Sequence, residues 1–168
     1  MDVLLKNQKC HLVEKLGIHF EKKEGLAPVA ARVFSYIILN GKGGTTFEEL
    51  IENLCASKST ISTHLTHLQG LNKLKYYTKI GDRKKYYIMN HDSMVQGINK
   101  TIEDWNKEMK IHQEVMSYKL TVNNLKETLN EEKFNVEFHK DFIEFLDKTI
   151  ESVKEIKNRI IKNHQENN

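Results

Sequence analysis

The sequence predicts a mainly α fold: a helix-turn-helix with a two-stranded β-hairpin wing, followed by a long helical region. Three observations predict it. Residues 46–70 hold two short apolar-striped segments, each opened by a residue suited to capping a helix. Residues 74–89 alternate in character around a Gly-Asp turn. From His91 onward proline is absent, and apolar residues recur every three or four positions. The expected organisation is a winged domain over residues 1–90 and a helical dimerisation region over 91–168.

The elements follow in order. Leu12, Val13, Leu16 and Phe20 give helical spacing over residues 7–22, and Gly25 ends that segment. Pro28 fits the first turn of a second helix, where its missing N–H costs nothing. That helix, AARVFSYIIL, is apolar nearly all round, which places it at the centre of the core. Gly41 stops it, and GKGG makes the loop. Thr46 caps the third helix, and Glu49 completes a capping box. Phe47, Leu50, Ile51 and Leu54 form its buried stripe. After a turn at residues 53–56, Ser57 caps a fourth helix, closed by Gly70 and Asn72. Strands are expected over 74–80 and 84–89, joined by Gly81, Asp82 and Arg83.

The C-terminal region has one stripe of Met94, Ile98, Ile102, Trp105, Met109, His112, Met116 and Leu120. A second carries Phe138, Phe142, Phe145, Leu146, Ile150, Val153, Ile156 and Ile160. NEEKFN at 130–135 marks a turn or kink between them, and the tail HQENN is expected to fray. Such stripes need each other or a second copy of the chain for burial. One long bent helix and a helical hairpin are both compatible with the pattern.

The 168 residues are 39% hydrophobic and 29% charged. No run of 18 apolar residues spans a membrane, and the first residues lack a signal peptide's apolar region, so a cytoplasmic protein is expected. Net charge is only +3, but it is uneven. Residues 57–85 hold seven basic side chains (Lys58, Lys73, Lys75, Lys79, Arg83, Lys84 and Lys85) against the single acid Asp82. So one-sided a patch attracts polyanions.

The fourth helix carries the chemistry. Ile61, Leu65 and Leu68 fall on one side; Ser59, Ser62, Thr63, Thr66 and His67 fall on the other, flanked by Lys58 and Thr60. An exposed helix face ordinarily carries Glu and Lys, which form helices better than Ser and Thr. A helix entering the DNA major groove has the opposite needs. Acids are repelled by phosphate, short side chains permit close approach, and hydroxyls exchange hydrogen bonds with base edges. Its N-terminus, capped by Ser57, offers free N–H groups to a phosphate, and Lys58 adds a salt-sensitive charge contact. The hairpin tip, with Lys79, Arg83, Lys84 and Lys85, is placed to reach the adjacent minor groove or its backbone. The candidate DNA-binding residues are therefore Ser57, Lys58, Ser59, Thr60, Ser62, Thr63, Thr66, His67, Lys79, Arg83, Lys84 and Lys85. A Ser/Thr-rich surface helix with no function is the bland alternative, and the coincidence of acid-free helix, basic tip and capped preceding helix weighs against it.

Residues 9–90 resemble the winged-helix domain of MarR-type bacterial transcriptional regulators, in particular the GbsR-like branch. The matching pieces are EKLGIHFEKKEGLAP, APVAARVFSYIIL, TTFEELIENLCASKSTIS and GDRKKYYIM. Ser57, Lys58, Ile61 and Ser62 match the opening of that family's recognition helix, and Ser59 stands where the family often has glycine. Gly81, Arg83, Tyr86 and Tyr87 match its wing motif. The resemblance implies dimerisation through helices outside the winged domain, an operator with two half-sites, and often a small-molecule inducer; the regulator is expected to be a repressor. It covers about half of the chain.

Other residues carry weaker signals. His64 and His67 have a metal-ligand spacing, but no third ligand is nearby in sequence, and no metal or cofactor is expected. His64 is read as a packing residue at the edge of the apolar face. Trp105 either packs in a dimer core or, with Tyr118 or Met109, walls an effector pocket. Arg32 either pairs with a nearby Glu or runs its stem past the core. Cys10 and Cys55 are isolated, and Cys55, beside Leu54, is read as a small core residue. No nucleophile elbow, phosphate loop, HExxH or acidic dyad appears, so no enzyme is expected. The competing class is a winged helix used as a protein-docking module, with the helical tail as scaffold.

Overall fold

The computed structural model describes residues 3–125 and 133–165. The order is α1 (Val3–Glu24), α2 (Pro28–Asn40), α3 (Phe47–Leu54), α4 (Lys58–Gly70), β1 (Leu74–Thr78), β2 (Lys85–Met89), α5 (His91–Asn123) and α6 (Glu137–Gln165). A single 3-10 turn, Gly41–Gly43, follows α2. The chain has a winged-helix fold. It divides into two compact units between Ser93 and Met94, within α5.

In the first unit α2 is the central helix. Ala30, Ala31, Val33 and Ile37 are fully buried, with Leu50 of α3, and Ile61 and Leu68 of α4, around them. Burying a Val, Leu or Ile side chain is worth about 1.5–3 kcal/mol, more than the roughly 1 kcal/mol of a typical cap. Packing on α2 therefore dominates the stability of this unit, and the caps set where its helices begin. Pro28 opens α2, and the Gly41 N–H donates to the Ile37 carbonyl at its end. Ser35 lies inside the core with its hydroxyl donating to the Ala31 carbonyl at 2.7 Å, so no polar group is left open there.

α1 begins at Val3, earlier than the apolar spacing indicated. Val3, Leu4 and Leu5 are consecutive and exposed, so they contribute no helical period to read. Arg32 fixes how α1 lies on α2. Its guanidinium pairs with Glu14 at 3.0 Å and with Glu21, and also donates to the Pro28 carbonyl. The Arg32 stem crosses α1 at Gly17, where a Cβ would stand 3.3 Å from Cδ. Of the two fates weighed for Arg32, ion pairing is adopted, and the stem packs on α1 as well.

Thr46 forms the expected capping box: its hydroxyl accepts from the Glu49 N–H, and the Glu49 carboxylate accepts from the Thr46 N–H at 2.7 Å. Ser57 caps α4, accepting from the Thr60 N–H at 3.1 Å. Cys55 departs from expectation. It is exposed, in left-handed backbone at the end of α3 (φ 49°), because the turn between the two helices lifts it off the core.

The strands are shorter than the alternation indicated. The antiparallel ladder runs from Leu74 opposite Met89 to Thr78 opposite Lys85. Lys79 and Ile80 leave it because the Asp82 N–H donates to the Lys79 carbonyl, closing the turn. Thr45 pairs with Tyr87 through two 2.9 Å bonds, adding one residue of a third strand to the hairpin.

The second unit is an antiparallel helical hairpin. Asn123 meets Phe134, Lys119 and His112 meet His139, and Asn99 meets Lys157. That register decides between the bent helix and the hairpin in favour of the hairpin. Of NEEKFN, residues 130–132 lie outside the described residues, while 133–136 carry no regular structure. Of HQENN, α6 reaches Gln165, and residues 166–168 lie outside the described residues. Ile102 of α5 and Leu146 and Ile150 of α6 are buried. Ile111, Tyr118, Phe138 and Phe145 stay exposed. No described helix is long and apolar enough to cross a membrane.

Candidate nucleic-acid interface

The candidate residues come from two elements held against one core. α4 buries Ile61, Leu65 and Leu68 and so turns Ser59, Ser62, Thr63, Thr66 and His67 outward. Ser57 and Lys58 are exposed at its start, and Thr60 is half-buried. The Ser57 hydroxyl lies 2.9 Å from that of Ser59 and 2.8 Å from that of Thr60, so the cap is a cluster of three hydroxyls. Thr66 donates to the Ser62 carbonyl at 3.0 Å, while Ser62 and Thr63 are exposed to solvent. His64 is half-buried, and burial first and its neighbour His67 second hold its pKa below 6.5. A half-buried imidazole there and an outward one at His67 fit the sequence reading. The face carries no acid.

The wing is built from four tyrosines and one aspartate. Tyr77 and Tyr86 stand opposite each other in the ladder and stack, with ring centroids 5.4 Å apart. The Tyr77 hydroxyl donates to the Gly43 carbonyl at 2.9 Å, which ties β1 to the loop after α2. The neighbouring Gly44 has φ 72°, and a Cβ there would meet the Tyr86 Cβ at 2.8 Å, so only glycine fits. At the tip, Asp82 accepts the Tyr86 hydroxyl at 2.6 Å and the Lys84 N–H at 2.9 Å. The lone acid of the basic patch thus shapes the turn that presents the bases.

The basic side chains then divide by role. Lys79 lies 3.9 Å over the Tyr86 ring, and Lys85 lies 4.3 Å over the Tyr76 ring. These cation–π contacts hold each stem flat on the wing while leaving its charge at the surface. Arg83 and Lys84 are exposed at the turn. Lys73 is different: it pairs with Glu24 and faces the Phe34 ring, so its charge is part of the scaffold.

Asn90 was not singled out by the sequence and is structurally central. It is buried, its amide donates to the backbone and side-chain oxygens of Asn72, and its own N–H donates to the Lys73 carbonyl at 2.8 Å. It therefore clamps the end of β2 to the end of α4, fixing wing and helix together. The only sequence signal was an Asn at the point where a strand pattern gives way to a helical one.

Of the candidate effector residues, Tyr118 lies apart from Trp105 and Met109. Trp105 and Met109 are half-buried, whereas Tyr118 is 66% exposed. Tyr118 follows Trp105 by thirteen positions in α5, which turns the two side chains about 140° apart. A cleft of about 240 Å³ opens elsewhere, between α1, α2 and the end of α3, with Cys10, Tyr36 and Cys55 on its walls. Among the described residues no group of three or more His, Cys, Asp or Glu is placed to hold a metal ion.

A solved crystal structure of a transcriptional regulator is similar to this chain, with a TM-score of 0.50 and 18% identity, over 92% of this chain and 99% of that one. At this identity the likeness shows the fold. No family model and no curated protein matches the chain.

Proposed function

We propose that this chain is a cytoplasmic transcriptional regulator that binds double-stranded DNA in a sequence-specific way, as a homodimer and a repressor, on a near-palindromic operator. The observation that carries the reading is the acid-free hydroxyl-and-imidazole face of α4, exposed beside a wing whose tip presents Arg83 and Lys84. α4 would lie in the major groove, with Ser59, Ser62, Thr63 and Thr66 against base edges, and Ser57, Lys58 and His67 against phosphate. Lys79, Arg83, Lys84 and Lys85 would follow the backbone or the adjacent minor groove. The regulator with the similar fold supports this assignment, as does the resemblance of residues 9–90 to the GbsR-like branch of MarR-type regulators.

One short recognition helix reads few base pairs. Two copies related by a two-fold axis place their helices about 34 Å apart, one DNA turn, and read a palindrome. The exposed apolar residues of the α5/α6 hairpin are the surface on which the copies would join. A small-molecule effector would act by changing that dimer, with the half-buried Trp105 and Met109 in its reach.

Selection of bound fragments from a random DNA pool tests the reading. A recurring inverted repeat is the expected result, with sedimentation showing two chains per duplex. No enrichment, together with no retention on heparin or random DNA at low salt, would overturn it in favour of a protein-docking module.

A further inference from the structure

The α5/α6 hairpin contains a chain of three nitrogen side chains that the DNA-binding reading does not use. Lys119 Nζ lies 2.9 Å from His139 Nε2, and His139 Nδ1 lies 3.1 Å from His112 Nδ1. The protons in this chain can be placed by elimination. A lysine ammonium only donates, so His139 Nε2 accepts and its proton sits on Nδ1. His139 Nδ1–H then donates to His112 Nδ1, which puts the His112 proton on Nε2. With both rings neutral in this way, each nitrogen-to-nitrogen contact has one donor and one acceptor.

An added proton leaves no such arrangement. A proton on His112 Nδ1 would face the proton of His139 Nδ1. Moving the His139 proton to Nε2 would face it toward the Lys119 ammonium. The groups that α5 sets against His139 are thus a cation and a second imidazole. No further His, Cys, Asp or Glu joins the pair in a metal-binding group among the described residues. A divalent cation between the rings would also sit beside the ammonium of Lys119, which disfavours a metal site.

The chain sits near the end of the hairpin. Asn123 donates to the Phe134 carbonyl and accepts the Phe134 N–H, both at 2.8 Å. His112 packs against the Phe138 and Phe142 rings, with centroids 5.9 and 4.6 Å away. We propose that Lys119, His139 and His112 form an acid-sensitive latch, which holds the start of α6 on α5 at neutral pH and releases it on acidification. Burial first, then the Lys119 charge, then His112 hold His139 below its ordinary 6.5. A His with a lowered folded value stabilises the fold fully above 6.5 and loses that contribution as pH falls through the lowered value. Acid therefore opens the hairpin, whether or not the chain binds DNA.

The test uses the full chain. Proton NMR gives the titration midpoint of His139, and hydrogen exchange follows residues 140–147, scaled to an unstructured peptide at the same pH. The expected result is a midpoint below 6.5, with protection falling roughly threefold or more between neutral pH and about pH 5. Lys119→Met, which keeps the stem and removes the charge, should raise the midpoint. His139→Phe, which keeps a ring in the aromatic cluster, should remove the pH response. A midpoint at or above 6.5, a midpoint unmoved by Lys119→Met, or an unchanged pH response in His139→Phe would each overturn the latch.

Discussion

The carboxylate of Asp82 accepts the hydroxyl of Tyr86 at 2.6 Å, across the turn that carries Arg83 and Lys84. This bond ties the shape of the wing tip to the ionisation of two groups. The hydrogen bond to Asp82 is the main reason that Tyr86 is pushed from 10.0 up to about 12. The Tyr86 hydroxyl, then the Lys84 N–H, hold Asp82 below 3.8. A tyrosine with a raised value stabilises below 10 and loses that contribution as pH rises through about 12. An aspartate with a depressed value stabilises above 3.8 and loses it as pH falls through the lower folded value. The tip is therefore best ordered between those limits. Asp82→Ala should bring the Tyr86 ionisation back toward 10, read by phenolate absorbance, and raise hydrogen exchange at residues 79–85. An unchanged tyrosine titration would show that the bond does not persist in solution.

Gly44 is the position where the wing meets the loop after α2. Gly44→Ala would place a methyl 2.8 Å from the Tyr86 Cβ in backbone at φ 72°. Both the contact and the left-handed backbone oppose alanine, so a loss of about 2 kcal/mol or more is expected in denaturant unfolding of the winged unit. Gly81→Ala is the control. It too has positive φ (80°), but nothing lies within 4 Å of its added Cβ, so it should cost less.

These two glycines show what the sequence could and could not convey. The Thr46–Glu49 box, the Ser57 cap and Pro28 at the start of α2 were legible because each rests on partners within four residues. The buried stripe of α4 was legible because its period is a helix's own. Gly44 read only as loop glycine, since its reason for being glycine lies in β2. The bond from Tyr77 to Gly43 spans 34 residues, and the Asn90 clamp spans 18, so neither has a local signature. Arg32 announced a need for acidic partners without choosing Glu14 and Glu21, because that choice depends on how α1 crosses α2. Cys55 was misread for the opposite reason: its apolar neighbour Leu54 ends α3, and the left-handed residue after it swings outward. For the candidate interface, residue types and faces were readable. The division of the lysines into those laid on tyrosines, the one paired with Glu24 and those at the tip was not.

That division bears on how binding should depend on salt. Each copy presents Lys58, Lys79, Arg83, Lys84 and Lys85 at the surface, so a dimer would make about 6–10 phosphate contacts. Affinity should then fall by roughly three to five decades between about 50 and 200 mM salt. Lys73→Ala should leave the salt slope unchanged and lower stability instead, because its partner is Glu24. Arg83→Ala should reduce the slope by roughly one per chain. Anisotropy titrations across a salt series separate the two, and equal slopes for Arg83→Ala and wild type would remove the wing tip from the interface.

The assignment of base-reading residues makes the sharpest demand. Ser62 and Thr63 are exposed near the middle of α4. A hydroxyl that meets a base edge contributes only on the cognate sequence. A cation that meets phosphate contributes on every sequence. Thr63→Ala and Ser62→Ala should therefore weaken cognate binding by about 1–3 kcal/mol each while leaving binding to random DNA nearly unchanged. Lys58→Ala should weaken both alike. Alanine is a better helix former than Ser or Thr, so the two hydroxyl variants should not lower thermal stability, and a loss of binding cannot be ascribed to unfolding. Equal losses on cognate and random duplexes for all three would leave α4 as a phosphate-binding helix and move sequence recognition elsewhere in the chain.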